Sequence, residues 1–90
     1  MKKMVIALSA RALLATNVQK IRHEKEISQE KLAEMAGFHR TYVSQIERRV
    51  TNASADNIQK LADVLGVPVA RLFELPNEEA AAMGRDSVRA

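Results

Sequence analysis

Apolar residues recur along this chain at intervals of three and four, without the strict alternation of a half-buried strand, so the pattern predicts an all-α protein. The first stripe, Ala10, Leu13, Leu14, Val18 and Ile21, falls on one face of a helix running from Ser9 to Glu24. Thr16 and Gln19 have capping-box spacing, which allows a fresh helix start at Thr16. Ile27 closes the linker that follows. Ser28 is a good N-cap and Glu30 sits in the first turn, where the helix dipole favours an acid; Leu32, Ala33 and Ala36 then carry a short second helix to its stop at Gly37. A tight turn holds the apolar Phe38. A third helix runs from Arg40 to Arg48, with His39 as its N-cap.

Beyond a loop at Thr51-Asn52-Ala53, Ser54 caps a fourth helix with Asp56 in its first turn. Its Ile58, Leu61, Ala62 and Leu65 stand at i, i+3, i+4 and i+7, the cleanest core stripe in the chain, and Gly66 ends it. Pro68 suits the first turn of a short fifth helix carrying Val69, Leu72 and Phe73, before Leu75-Pro76 breaks the chain again. The implied organisation is an N-terminal extension over 1–15 that begins the first helix, a compact five-helix domain over 16–75, and a polar, alanine-rich tail over 76–90, weakly helical or frayed. There is no internal repeat.

Ninety residues suffice for one domain and leave little room for a catalytic cleft beside its core. The 47% hydrophobic and 28% charged composition is that of a globular chain. The absence of cysteine excludes disulfides and thiolate metal sites and points to a reducing compartment, the cytoplasm. Met1-Lys2-Lys3 followed by Met4 to Leu8 has the basic-then-apolar order of a secretory signal, but Arg11 interrupts it, and a helical stripe packing on the body is the preferred reading. No stretch approaches the ~20 apolar residues of a membrane span. His23 and His39 lie in separate segments without a nucleophile and base arrangement, and no glycine loop is present, so neither catalysis nor a cofactor is expected. The net charge of +3 and pI near 9.6 suit a nucleic-acid partner, with distribution mattering more than the total.

The third helix concentrates the chemistry. At about 100° per residue, Val43, Ile46 and Val50 fall on one side with Glu47 at its edge, and this side faces the core. The opposite side carries Thr41, Gln45 and Arg48, flanked by Ser44, with Arg40 at the exposed tip. Such a face is either ordinary solvated surface or one suited to the DNA major groove, where each base pair displays its own donor and acceptor pattern. On the second reading Arg40 can grip guanine, Thr41 can meet a thymine methyl and Gln45 can pair with adenine. Ser44 and Arg48 are better placed for phosphates. Gln29, opening the second helix, can direct its amide and that helix's backbone N–H groups at a phosphate and so fix the docking register.

From Val18 to Phe73 the chain resembles the Cro/CI-like or XRE family of helix-turn-helix domains, on the strength of "ISQEKLAEMAG", "YVSQIER", "NIQKLADVLGV" and "RLFE" in order. The resemblance implies a lambda-repressor-like fold of five helices whose second and third, here over 29–48, read DNA. Within the family, "GFHRTYVSQIER" followed by "TNAS" looks most like the controller proteins of restriction-modification systems. That likeness implies base contacts from Arg40 and Thr41. It sets Tyr42 against the sugar-phosphate backbone, with a half-buried packing role as the alternative, and pairs Arg22 with Glu47 in a buried ion pair.

The chain also departs from the family pattern. Arg49 stands where the family usually has glycine, and Ala53 stands where proline often follows the position of Asn52, in a loop that usually meets DNA backbone. His39 replaces a short polar cap and either faces solvent or adds a phosphate contact when protonated. Arg48, Arg49 and Asn52 complete the expected backbone contacts.

One recognition helix reads only a few base pairs, so a homodimer on inverted half-sites, or two dimers on a tandem operator, is the expected partner arrangement with double-stranded DNA. Its expected seam is Val67, Val69, Leu72 and Phe73, although Leu72 or Phe73 can instead close the monomer core. The alternatives are an antitoxin-type protein that binds a toxin and autoregulates its operon, and a phage-type repressor.

Overall fold

The computed structural model describes residues 9–75. The expectations for residues 1–8 and for the tail over 76–90 lie outside this range. Four α-helices and one 3-10 helix follow in order: α1 Ala10–Glu24, α2 Gln29–Ala36, α3 Arg40–Glu47, α4 Ala55–Leu65, and the 3-10 helix Val69–Phe73. The all-α class holds, but the expected fifth α-helix is a tighter 3-10 segment. Its five residues are too few to gain much from the α-helical ladder.

Local chemistry sets most boundaries. The Ser9, Ser28 and Ser54 hydroxyls accept hydrogen bonds from the backbone N–H groups of Ala12, Lys31 and Asn57 at 3.1, 2.9 and 3.1 Å, each satisfying a donor that the helix itself leaves open. α1 is continuous from Ala10, so Thr16 and Gln19 lie inside it and start no new helix. Gly37 and Gly66 end α2 and α4 at φ +76° and +72°, a left-handed conformation that glycine adopts without a steric penalty.

One core holds these elements together. Leu14, Val18 and Ile21 of α1 meet Leu32 and Ala33 of α2, Val43 and Ile46 of α3, Leu61, Ala62 and Leu65 of α4, and Leu72 of the 3-10 helix. Ala10, expected in the first stripe, is exposed at the helix start, and Leu13 is only half-buried. Val50 is a clear correction: it was expected on the core side of the third helix and is 58% exposed. The helix stops at Glu47, and Arg49 turns the chain at φ +65°, so the helical period no longer governs where Val50 points.

Arg49 therefore occupies a left-handed conformation in which an L side chain costs about 1–2 kcal/mol. Arg49→Gly should raise stability by about 1 kcal/mol and the melting temperature by several degrees, as thermal unfolding followed by circular dichroism will measure. An unchanged or lower melting temperature would mean that the turn carries no such strain.

Asn17 is a polar residue at the centre of this packing, 1% exposed. Its amide nitrogen donates to the carbonyl oxygens of Leu72 at 3.1 Å and Glu74 at 2.8 Å, and to Leu13 at 2.9 Å within its own helix. It thereby clamps the 3-10 helix to α1. Among the described residues no buried side-chain nitrogen or oxygen lacks a partner. Asn17→Ala removes the clamp and leaves the buried Leu72 carbonyl without this partner, so unfolding should become easier by about 1–3 kcal/mol. A lower urea midpoint at unchanged slope is the expected result.

Candidate nucleic-acid interface

α2 and α3 pack directly on each other and α3 also packs on α1, which fixes how the third helix is presented. Val43 and Ile46 anchor its inner side, at 0% and 3% exposure. A second anchor is polar. The Arg22 guanidinium donates from Nε and Nη2 to the two carboxylate oxygens of Glu47 at 2.7 and 2.9 Å, with the side chains 8% and 3% exposed. Its Nη1 donates to the carbonyl of Ile27 at 2.9 Å, closing the α1–α2 linker over the pair. A planar guanidinium matches a carboxylate in this two-point way, and the pair fixes both the rotation and the depth of the end of α3.

Gln29 joins the same network, its Nε2 donating to Glu47 Oε1 at 2.9 Å. One amide proton is thus held by Glu47 while the other remains available to an outside acceptor. The half-buried Gln29 side chain is oriented in advance by the carboxylate that anchors α3. The sequence singled out Gln29 and Glu47 separately and did not join them.

On the outer side, Arg40 and Thr41 are exposed, and Gln45 and Ser44 are half-exposed. The Ser44 hydroxyl accepts from Arg48 Nε at 3.2 Å, which draws the exposed Arg48 along the helix. His39 is exposed at the N-cap position and makes no side-chain capping bond, so the first backbone N–H groups of α3 have no side-chain partner there. Tyr42 is half-buried with its ring edge-on to Phe38 at 4.9 Å between centroids. Its hydroxyl oxygen accepts from Asn57 Nδ2 at 2.9 Å, leaving the phenolic proton for another partner. Packing and a donor left for a further partner thus coexist in this residue.

Cations dominate this side. Among the described residues Arg11, Arg40, Arg48 and Arg49 form no salt bridge, whereas Arg22, Lys31 and Arg71 pair with acids. Asn52, in the loop after α3, is exposed and accepts from Arg11 Nε at 2.9 Å, a contact with no local sequence signal because 41 residues separate the two.

The helix-turn-helix family pattern matches residues 18–72, which take in the two packed helices, their anchors and all but the last residue of the 3-10 helix. The chain belongs to the XRE-type helix-turn-helix family of DNA-binding regulators. A hypothetical transcription factor from Neisseria meningitidis is 46% identical over 68 residues, covering 76% of this chain and 64% of that protein, so the helix-turn-helix chain spans somewhat under two thirds of that relative. A crystal structure described as the hypothetical transcription factor NHTF from Neisseria shares 42% identity and superposes with a TM-score of 0.75, covering 82% of this chain and 85% of that one. The control protein C.BamHI of Bacillus amyloliquefaciens is 50% identical over 58 residues, 63% of this chain and 72% of its own. SinR, described as the master regulator for biofilm formation and solved in complex with DNA, shares 37% identity at a TM-score of 0.64 over 68% of this chain and 98% of that one.

The proposed dimer seam is altered by one burial. Leu72 has 0% exposure within the monomer and sits in the common core, so it has no surface to give a partner. Val67, Val69 and Phe73 pack against that core and stay only half-buried. Among the described residues no helix of this helix-turn-helix protein is long and apolar enough to cross a membrane.

Proposed function

We propose that this protein is a cytoplasmic, sequence-specific transcriptional regulator that binds double-stranded DNA as a homodimer on inverted half-sites, in the manner of a restriction-modification controller. The observation that carries the proposal is the two-sided character of α3: core residues and a buried ion pair lock its inner side, and its outer side presents Arg40, Thr41 and Gln45 beside arginines that form no salt bridge among the described residues. α3 enters the major groove and these three side chains meet base edges. Gln29, Tyr42, Ser44, Arg48, Arg49 and Asn52, with His39 at the helix start, meet the sugar-phosphate backbone and set the register. The similarity to a control protein and to a regulator solved on DNA supports this assignment.

Val67, Val69 and Phe73 are the residues proposed to close the dimer, placing two recognition helices about 34–36 Å apart on successive turns of the duplex. The test is selection of bound sequences from a random duplex pool, with the stoichiometry of the complex read by sedimentation. Enrichment of inverted half-sites bound by two or four chains is the expected result. Salt-sensitive binding without enrichment would sink sequence-specific regulation.

A further inference from the structure

Arg11 lies in the first turn of α1, outside the helix-turn-helix, yet its guanidinium is held against the loop that leaves the recognition helix. Nε donates to Asn52 Oδ1 at 2.9 Å and Nη2 donates to the same oxygen. This geometry fixes the polarity of what remains. Asn52 has its one side-chain acceptor turned to Arg11, so its Nδ2 protons point away from Arg11, and the rest of the guanidinium likewise has only N–H groups to present. Neither group has a further partner among the described residues, and both side chains are exposed. A cation and an amide that together expose donors alone fit an oxyanion and fit no donor ligand.

The loop is held from its other side as well. Ala53, half-buried, packs against the core directly after Asn52. Proline would have stiffened this position; the Arg11 fork supplies an alternative restraint on the loop. Because the side chain of Arg11 is already oriented, less rotamer freedom is lost when an anion binds.

We propose that Arg11 and Asn52 form a phosphate-binding corner that extends the DNA contact surface from α2 and α3 onto the first helix; the proposal rests on the DNA-binding reading above. The experiment is fluorescence anisotropy of the full chain on a selected operator and on a random duplex across a salt series, with R11Q, R11K and N52A. Each Arg11 replaced by glutamine should reduce the slope of log K against log salt by about 0.9, with a several-fold loss on operator and random duplex alike. R11K, which keeps the charge, should keep the slope. N52A should weaken binding, and R11Q added to N52A should cost less than R11Q alone. Melting curves that match the wild type establish that each variant is folded. Wild-type slope and affinity in R11Q, or a loss confined to the operator, would overturn the proposal while leaving DNA binding intact. Failure of the wild type to bind any duplex at low salt would instead defeat the functional reading itself.

Discussion

Replacing Glu47 with alanine should lower the free energy of unfolding by about 3–5 kcal/mol, because the Arg22 guanidinium stays buried with its countercharge gone. Domains of this size have about 5–15 kcal/mol in total, so the variant should melt lower by an amount of order tens of degrees and be partly unfolded at moderate temperature. The double replacement R22M with E47L separates charge burial from packing. Apolar residues of similar volume at both positions should restore much of the lost stability. They should not restore DNA affinity, since Gln29 also loses the acceptor that orients its amide. Chemical unfolding of the three proteins, beside binding to a common duplex, gives both readouts. Full binding by a stable double variant would show that the ion pair serves the fold alone.

The second large effect is expected at Arg40. Arg40→Ala should cost about 1–3 kcal/mol of specific binding per subunit, roughly doubled when both halves of a dimer carry it, and should relax preference at one base position in each half-site. Arg40→Lys keeps the charge and loses the planar fork, so it should recover general attraction to DNA without recovering that preference. The check is affinity against a set of duplexes varied one position at a time. Equal weakening on every sequence would make Arg40 a phosphate contact and transfer base reading to Thr41 and Gln45.

Elements set by local chemistry were legible in the sequence. Ser28 and Ser54 cap helices through their own third neighbours, and Gly37 and Gly66 stop them through their own backbone, so short motifs contain the whole cause. The outward face of α3 followed from the same periodicity that buried Val43 and Ile46. Val50 departs from that face because it lies beyond the end of the helix, where the left-handed Arg49 turns the chain and the helical period no longer applies. Leu72 illustrates a different limit: a leucine on a short terminal helix has the same pattern whether it fills the monomer core or a seam between subunits, and only its neighbours decide. Asn17, Asn57 and the Arg11 fork carry no sequence signal because each joins groups far apart in the chain, where no spacing rule applies. The Arg22–Glu47 pair also spans distant segments, and its sequence signal lies in the family pattern alone.

The contacts along α1 assign separate tasks to separate elements. One continuous helix carries Asn17, which clamps the segment bearing Val69 and Phe73, and Arg22, which clamps the end of α3 a little over one turn further on. In the proposed dimer closed through that segment, the letters of the operator would be written in α3, but the distance between its two halves would be written in the stretch of α1 between these side chains. Exchanging Arg40, Thr41 or Gln45 would then change the word without changing its spacing. Inserting one residue between Asn17 and Arg22 would turn the two clamps by about 100° relative to each other and displace α3 while every side chain proposed to contact bases stayed the same. Divergence of vocabulary and divergence of metre are thus separable in this scaffold.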